Sequence, residues 1–122
     1  MHVYSFEKLK VWQESIQLAI KTYKTTDLFP KEEKFGLTSQ MRRCSVSVSS
    51  NLAEGTSRLT KKDKAHFMTI SYSSAIELLN QSIISKELGF ISEDSYKTMR
   101  KDIESITNKI NALRKSFFTT KP

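Results

Sequence analysis

Asp63 and His66 have the spacing in this chain that comes nearest to a metal centre. A carboxylate and an imidazole three residues apart share one face of a helix, and di-metal sites in helical bundles use two Glu-x-x-His pairs with two further glutamates. The second histidine of the chain is His2, so there is no second pair. We therefore expect neither a metal site nor any other cofactor, and we interpret His66 as a surface or packing residue.

Cys44 is the single cysteine, and no histidine and acid accompany it in an activating arrangement. Its apolar neighbours indicate a buried and unreactive thiol. No serine has the Gly-x-Ser-x-Gly context of a hydrolase nucleophile, and no glycine-rich loop is suited to phosphate. Glu54 and Glu77 lie within packed helices and are expected to pair with Arg43 or Arg58. We predict no catalytic residues, no enzyme activity and no small-molecule substrate.

Basic residues form the remaining pattern with chemical content. The formal net charge is +7 and the isoelectric point is about 9.6, which suits a polyanionic partner. The residues predicted to bind nucleic acid are Arg42, Arg43, Arg58, Lys61, Lys62 and Lys64.

The lysines at positions 61, 62 and 64 fall in the first turn of a predicted helix, where they oppose the helix dipole. This cost favours an external role, although a cluster that only keeps the protein soluble remains an alternative. No aromatic residue is interleaved with the cluster, so we expect binding through phosphates, with strong salt dependence and weak readout of single-strand sequence.

Four helical segments position these residues. The first is predicted from about Ser5 to Thr25, and a turn follows between Thr26 and Gly36. Its main apolar face consists of Leu9, Trp12, Ile16, Ala19, Ile20 and Tyr23, at spacings of three and four. Val11 and Leu18 lie on nearly the opposite face.

The second segment, residues 36–58, poses a choice, because Ser45-Val46-Ser47-Val48-Ser49 alternates as a strand does. A lone strand would have no partner, so we predict a helix. Its apolar face consists of Leu37, Met41, Cys44, Val48 and Leu52. Small hydroxyl residues that allow a neighbouring helix to approach closely are Thr38, Ser45, Ser49 and Thr56. A polar stripe from Gln40 to Arg58 either faces water or forms a hydrogen-bonded ladder, which would be buried at a subunit contact or exposed as a ligand surface.

The third helix is predicted from about Lys61 to Leu88, with Thr60 in a capping-box position and Gly89 just past its end. Its main stripe is Ala65, Met68, Tyr72, Ile76, Leu79 and Ile83. Ser92 fits the N-cap of a fourth helix. The heptad seam of that helix is Tyr96, Met99, Ile103, Ile106, Ile110, Leu113 and Phe117.

Apolar residues away from the main stripes indicate contacts with another subunit. The predicted oligomer-interface residues are Val11, Leu18, Phe67 and Leu78.

Four helices with short connections predict an all-α fold, an up-down-up-down antiparallel four-helix bundle, in a single domain of residues 1–122. The N-terminus lacks the regions of a signal peptide, and no apolar run reaches transmembrane length. We expect a soluble, cytoplasmic protein with no membrane partner.

Four stretches carry a family resemblance: KLKVWQESIQLA, FPKEEKFGLTSQMRR, SNLAEGTSR and ELGFIS. Together they resemble the four-helix-bundle family first noticed as open reading frames in intervening sequences of bacterial large-subunit ribosomal RNA genes. The resemblance spans nearly the whole chain, and members are often labelled as a ribosomal protein. It implies bundles that assemble into ring-shaped homopentamers, mostly of unknown role and with no established catalytic activity.

One relative in this family is the accessory variability protein of diversity-generating retroelements, a basic pentameric barrel that binds nucleic acid and a reverse transcriptase. Nothing in this chain points to a retroelement, so we do not extend reverse-transcriptase binding to it. The chain departs from the family at Ser49, where Pro is frequent, and near Ser73, where Gly is frequent. Both departures predict straighter helices.

Two functions follow from these observations. The first is a non-enzymatic, basic, homo-oligomeric bundle, a pentamer by resemblance, that binds RNA or DNA non-specifically through phosphates. The alternative is a protein-interaction scaffold without a nucleic-acid role.

Overall fold

The computed structural model describes residues 1–118, and residues 119–122 of the predicted domain lie outside them. Within residues 1–118 the chain forms no β-strand. Its α-helices are α1 (Lys10–Thr26), α2 (Leu37–Ser57), α3 (Lys61–Glu87) and α4 (Glu93–Ser116). The prediction of an all-α fold is confirmed, and the alternating serines and valines of residues 45–49 lie in the middle of α2.

Side-chain pairs between helices establish the direction of each helix. Glu14 and Lys21 of α1 pair with Lys109 and Asp102 of α4 respectively, so α1 and α4 run antiparallel. The same reversal relates α2 to α3 and α3 to α4, in the pairs Met41–Ser85, Val48–Ser71, Met99–Ser82 and Arg114–Thr69. Each helix therefore reverses the direction of the one before it, which is the predicted up-down-up-down bundle.

The first helix begins later than predicted. Ser5–Lys8 forms a short 3-10 turn, Leu9 is extended with φ −74° and ψ 122°, and α1 starts at Lys10. The turn brings the ring of Phe6 to 5.0 Å from that of Trp12, in an edge-to-face contact.

The helix ends follow the predicted capping chemistry. Thr60 Oγ1 accepts a hydrogen bond from the Asp63 amide at the start of α3, and Ser92 Oγ accepts one from the Ser95 amide at the start of α4, both at 3.1 Å. Gly89 has φ 76°, a conformation that costs least without a Cβ, and it follows the end of α3 as expected.

The core confirms the predicted seams of α2 and α4. The largest seam side chains that are essentially inaccessible to solvent are Met41, Val48, Leu52, Met99, Ile103, Ile106 and Ile110. A second class of core residue consists of small hydroxyl side chains from α1 and α3: Ser15, Thr22, Thr26, Ser71, Ser74, Ser82 and Ser85.

These small residues shift the most buried face of α1 away from the predicted one, although Leu9 and Trp12 of the predicted face still pack against the core. Val11 and Leu18 face the core, whereas Ile20 and Tyr23 of the predicted core face are each 44% exposed. Thr22 is inside because its hydroxyl donates to the Leu18 carbonyl at 2.8 Å, which satisfies a buried polar group and permits a close helix approach.

The oligomer-interface prediction is wrong for three of its four residues. Val11, Leu18 and Leu78 are 5%, 1% and 0% exposed within a single chain, so they are not available to a second chain. Phe67 is half-buried and packs against the core. The error arose because large apolar side chains were given more weight than serines and threonines in choosing the inward face.

Candidate nucleic-acid interface

The six predicted nucleic-acid-binding residues separate into two groups on the structure. Arg42 and Arg43 lie near the start of α2, and Arg58 lies just past its end, roughly 24 Å further along the helix axis. Because α2 and α3 are antiparallel, Lys61, Lys62 and Lys64 lie at the same end of the bundle as Arg58. A single compact patch containing all six residues is therefore excluded.

Arg42 is held by contacts within the chain. Its Nη2 lies 2.7 Å from Asp27 Oδ1, its Nε donates to Thr26 Oγ1 at 2.9 Å, and its guanidinium lies 4.7 Å from the centre of the Tyr23 ring. Arg42 therefore contacts an acid, a hydroxyl and an aromatic ring, and through these contacts it joins α1 to α2. Arg43 beside it is exposed.

The other group lies at what we call the basic end, defined by Arg58, Lys61, Lys62, Lys64, Arg114 and Lys115. Close packing of α2 against α3 shapes this end. A Cβ placed on Gly55 would lie 2.4 Å from Met68 Cε and 2.9 Å from Phe67 Cβ, so the two helices approach each other where only glycine fits.

Arg58 is oriented by the same packing. Its guanidinium lies 4.5 Å from the centre of the Phe67 ring, and its Nη2 is 3.7 Å from Glu54 Oε2. The predicted pairing of Glu54 with Arg58 is thus present. The side chain stays 46% exposed, compared with 28% for Arg42, so the Phe67 ring positions the charge while leaving it accessible to a ligand.

The three lysines at the start of α3 differ in their contacts. Lys64 Nζ donates to the Thr56 carbonyl at 2.9 Å and so satisfies one of the last carbonyls of α2. Lys61 and Lys62 are exposed, and neither has an ion pair with any residue from 1 to 118. Lys61 and Lys62 are therefore the lysines best placed to bind an anion.

The antiparallel packing of α3 and α4 adds two cations that sequence reasoning missed. Arg114 and Lys115 lie in the last turn of α4, and Arg114 Nη1 donates to Thr69 Oγ1 of α3 at 3.1 Å. They line a cavity of about 590 Å³ together with Lys62, His66 and Phe118. The sequence does show that these basic residues complement the dipole at the C-terminus of a helix. It does not show which other helix lies beside them.

Cys44 confirms the expectation of a buried thiol. The Sγ atom donates to Glu77 Oε2 at 2.9 Å. Burial, followed by this hydrogen bond, raises the pKa of Cys44 to about 11. Glu77 therefore bonds a thiol rather than the predicted arginine.

The polar stripe of α2 forms part of a hydrogen-bonded ladder. The Ser47 hydroxyl bonds that of Ser74 at 2.8 Å, and the Asn51 amide donates to the Ser47 hydroxyl at 3.0 Å. The ladder connects α2 to α3 within one chain, while Gln40 and Arg43 face outward.

Within residues 1–118, no group of three or more histidine, cysteine or acidic side chains is arranged to hold a metal ion. His66 lies at the cavity beside Lys62 and its ring packs edge-to-face against Phe67. Among the described helices, none is long and apolar enough to span a bilayer.

Comparison with known proteins gives a family and a fold. The family model described as 23S rRNA-intervening sequence protein matches residues 7–112. A crystal structure from Bacteroides thetaiotaomicron, of a protein of unknown function in the S23 ribosomal protein family, superposes with a TM-score of 0.78. It is 18% identical and the match covers 86% of this chain and 98% of that one, which supports the shared fold. No protein of curated function matches the sequence significantly.

Proposed function

We propose, because this chain belongs to the family of 23S rRNA-intervening sequence proteins, that it is a non-enzymatic, homo-oligomeric helical bundle that binds RNA or DNA through phosphate contacts at the basic end. It would act in the cytoplasm, without cofactor or small-molecule substrate. The binding is non-specific with respect to sequence, since lysine and arginine contacts to phosphate carry no sequence information.

One observation carries this proposal: the basic end presents exposed cations, and two of its lysines have no acidic partner within the described residues. Lys61 and Lys62 have no ion pair among residues 1–118, and Arg58 has a single ion pair at 3.7 Å to an exposed carboxylate. An exposed ion pair of this kind is weak and easily exchanged for a phosphate. The lysines also occupy the positive end of the α3 dipole, where their charge is unfavourable. A bound polyanion would therefore compensate both the lysine charges and the dipole.

Phosphate binding of this kind has a measurable signature. Each neutralised phosphate releases condensed counterions, so the logarithm of the association constant falls linearly with the logarithm of salt concentration. The slope is about −0.9 per contact on duplex DNA and about −0.7 on a single strand.

The experiment compares two triple variants that remove the same charge from opposite ends. R58Q/K61Q/K62Q removes three accessible cations from the basic end. K31Q/K97Q/K101Q removes three exposed cations that have no ion pair within residues 1–118. Lys64 is left unchanged because it also bonds α2.

Binding of fluorescent RNA and duplex DNA is measured by anisotropy at several salt concentrations. We expect the basic-end variant to reduce the magnitude of the salt slope by about 2 to 3, and the control to change it by less than about 1. Equal losses from both variants would mean that net charge, rather than this site, governs binding. No binding by the unmodified protein at low salt would overturn the proposed function.

Homo-oligomerisation is the second part of the proposal, and the structure suggests a different surface for it. Ile20 and Tyr23 of α1 and Val46 of α2 are each at least 41% exposed. The hydrogen bond from Arg42 to Thr26 fixes how the antiparallel helices α1 and α2 lie along each other. The turn of α2 that contains Val46 is therefore level with the turn of α1 that contains Ile20. We call these three residues, with Ile16, the α1–α2 band.

An exposed apolar strip of this kind is suited to a second copy of the chain. The pentameric number comes from family resemblance. Sedimentation equilibrium should give a multiple of the 14.1 kDa chain mass, and Ile20→Glu should shift it toward the monomer without unfolding the bundle. A monomer in the unmodified protein would remove this part of the proposal.

The α1–α2 band also supports the alternative, a protein-interaction scaffold without a nucleic-acid role. An oligomer that binds neither RNA nor DNA at low salt would favour this alternative over phosphate binding.

A further inference from the structure

The cavity at the basic end combines cations with an aromatic ring that has no ring or cation–π partner among residues 1–118. Lys62 and His66 from α3 and Arg114 and Lys115 from α4 surround it, and Phe118 forms part of its wall. Phe118 is 63% exposed and makes no ring contact or cation–π contact within residues 1–118. A volume of about 590 Å³ is within the range of small-ligand sites.

A second cavity, of about 400 Å³ at the opposite end, has similar residue types, but each of its aromatic rings lies beside a cation of the chain. Of its two arginines, Arg42 already bonds Asp27, and the Tyr23 ring lies under the Arg42 guanidinium. The Phe35 ring lies 5.5 Å from the Lys34 ammonium. Both rings of that cavity therefore already have a cation, whereas the Phe118 ring has none among the residues that the structure describes.

We infer that the basic-end cavity receives an unpaired nucleobase of a single-stranded RNA or DNA segment. The base stacks on the Phe118 ring while Lys62 and Arg114 contact the flanking phosphates. This inference rests on the proposed function and deepens it, because it adds a preference for single strands to general phosphate binding. Stacking on an aromatic ring is tolerant of sequence, since every base has a π-face.

The geometry favours a single strand over a duplex. A paired base is enclosed between its neighbours in the stack and presents only its edges, so it cannot lie against the Phe118 ring. Phosphates of a duplex can still reach Arg58, Lys61 and Lys62 on the outer surface. Loss of the ring should therefore weaken single-strand binding and leave duplex binding unchanged.

The test uses the full chain with Phe118→Ala, and Phe35→Ala as the matched control. Phe35 is also an exposed phenylalanine, 88% accessible, at the other end of the bundle. The probes are a fluorescent oligo(A) RNA of about 12 nucleotides and a blunt RNA duplex of similar length. Circular dichroism establishes that both variants remain folded, and Phe118→Trp retains a stacking surface.

We expect Phe118→Ala to weaken oligo(A) binding by about 5- to 100-fold, with duplex binding changed by less than about twofold. The salt slope should be unchanged, since no phosphate contact is lost. Phe118→Trp should retain most of the affinity, and Phe35→Ala should have no effect.

Equal weakening on oligo(A) and duplex, or no weakening on either, would overturn the stacking inference while leaving phosphate binding intact. A loss caused by Phe35→Ala instead would assign the base to the opposite cavity and also overturn the inference. Absence of binding to both probes by the unmodified protein would overturn the proposed function together with the inference built on it.

Discussion

The two ends of the bundle have the same kinds of residue in different states. At the basic end, Lys61 and Lys62 are exposed without an ion pair among residues 1–118. At the opposite end, which we call the paired end, Arg42 bonds Asp27, and Lys86 lies between Glu87 and Glu93 at 3.7 Å from each. The difference is that Arg42 and Lys86 have acids positioned beside them, whereas Lys61 and Lys62 have none among the described residues.

The connections between helices explain this difference. The paired end contains the connection from α1 to α2, with Asp27, and the start of α4, where Glu93 complements the helix dipole. The basic end contains the three-residue connection 58–60, which has no acid, and a helix that begins with lysines. Arg42, within α2, is thus held by contacts inside the chain, whereas Arg58, just past the end of the same helix, keeps a more exposed side chain.

The largest effect is expected from Gly55, which permits the close packing that shapes the basic end. Gly55→Ala would place a methyl group against Phe67 Cβ and Met68 Cε, so we expect a loss of about 1–3 kcal/mol in the free energy of unfolding. Urea denaturation measures this loss. Ser50→Ala, at an exposed position of the same helix, should stay within about 0.5 kcal/mol. Equal stabilities of the two variants would show that the helices can separate there without cost.

The next effect compares the two arginines directly. Arg42→Gln removes the bonds to Asp27 and Thr26, and we expect a loss of about 1–2 kcal/mol in stability with nucleic-acid affinity unchanged. Arg58→Gln should cost less than about 0.5 kcal/mol because its ion pair is exposed. It should also reduce the magnitude of the salt slope by about 1. If the two variants exchanged these effects, the assignment of the ends would be reversed.

A smaller effect is expected at Lys62, in the first turn of α3. Lys62→Glu should increase stability by about 0.3–1 kcal/mol, because an acid complements the dipole where a lysine opposes it, and it should weaken nucleic-acid binding. Lys62→Gln, which removes the charge without reversing it, should lie between. Thermal denaturation and anisotropy on the same samples measure both quantities, and destabilisation by Glu would indicate an internal structural role for Lys62.

Near neutral pH, the smallest effect is expected at Cys44, midway between the ends. Its pKa is raised from an ordinary 9.0 to about 11, mainly by burial, so the folded chain holds the thiol proton more tightly than the unfolded chain does. The tighter binding of the thiol proton stabilises the folded chain. This stabilisation is fully present below pH 9 and is lost as the pH rises through about 11.

We therefore expect no pH dependence from Cys44 between about pH 7 and pH 9, and no reaction of a thiol reagent with the folded protein in that range. Above pH 9, stability should fall more steeply in the unmodified protein than in Cys44→Ala. Rapid modification of the folded protein at pH 8 would contradict the burial of this thiol.

Sequence periodicity predicted α4 most accurately, because its apolar residues form a single seam with polar residues elsewhere. On α1, periodicity identified the helix but not its inward face. Ile20 and Tyr23 are larger and more apolar than Ser15 and Thr22, yet the latter face the core. A buried hydroxyl is tolerated because it bonds a carbonyl of its own helix, and this compensation does not depend on hydrophobicity.

The candidate site was predicted in part. Arg58, Lys61 and Lys62 are adjacent in sequence and remain together in space, because a short connection joins their helices. Arg114 and Phe118 lie about fifty residues further along the chain, and only antiparallel packing of α3 against α4 places them beside Lys62. Sequence reasoning also had no means of distinguishing Arg42 from Arg58, because the acid that holds Arg42 comes from the connection between α1 and α2.

Local interactions explain what the sequence determined by itself: the four helices, their caps at Thr60, Gly89 and Ser92, the seams of α2 and α4, and the strongly basic charge. Periodicity, capping and composition act over a few residues, so they can be read along the chain. The tertiary structure decided which face of α1 is buried, which cations are paired, and that two distant segments form one cavity. These outcomes depend on how closely helices approach and which side chains meet between them, and both are properties of the packed bundle.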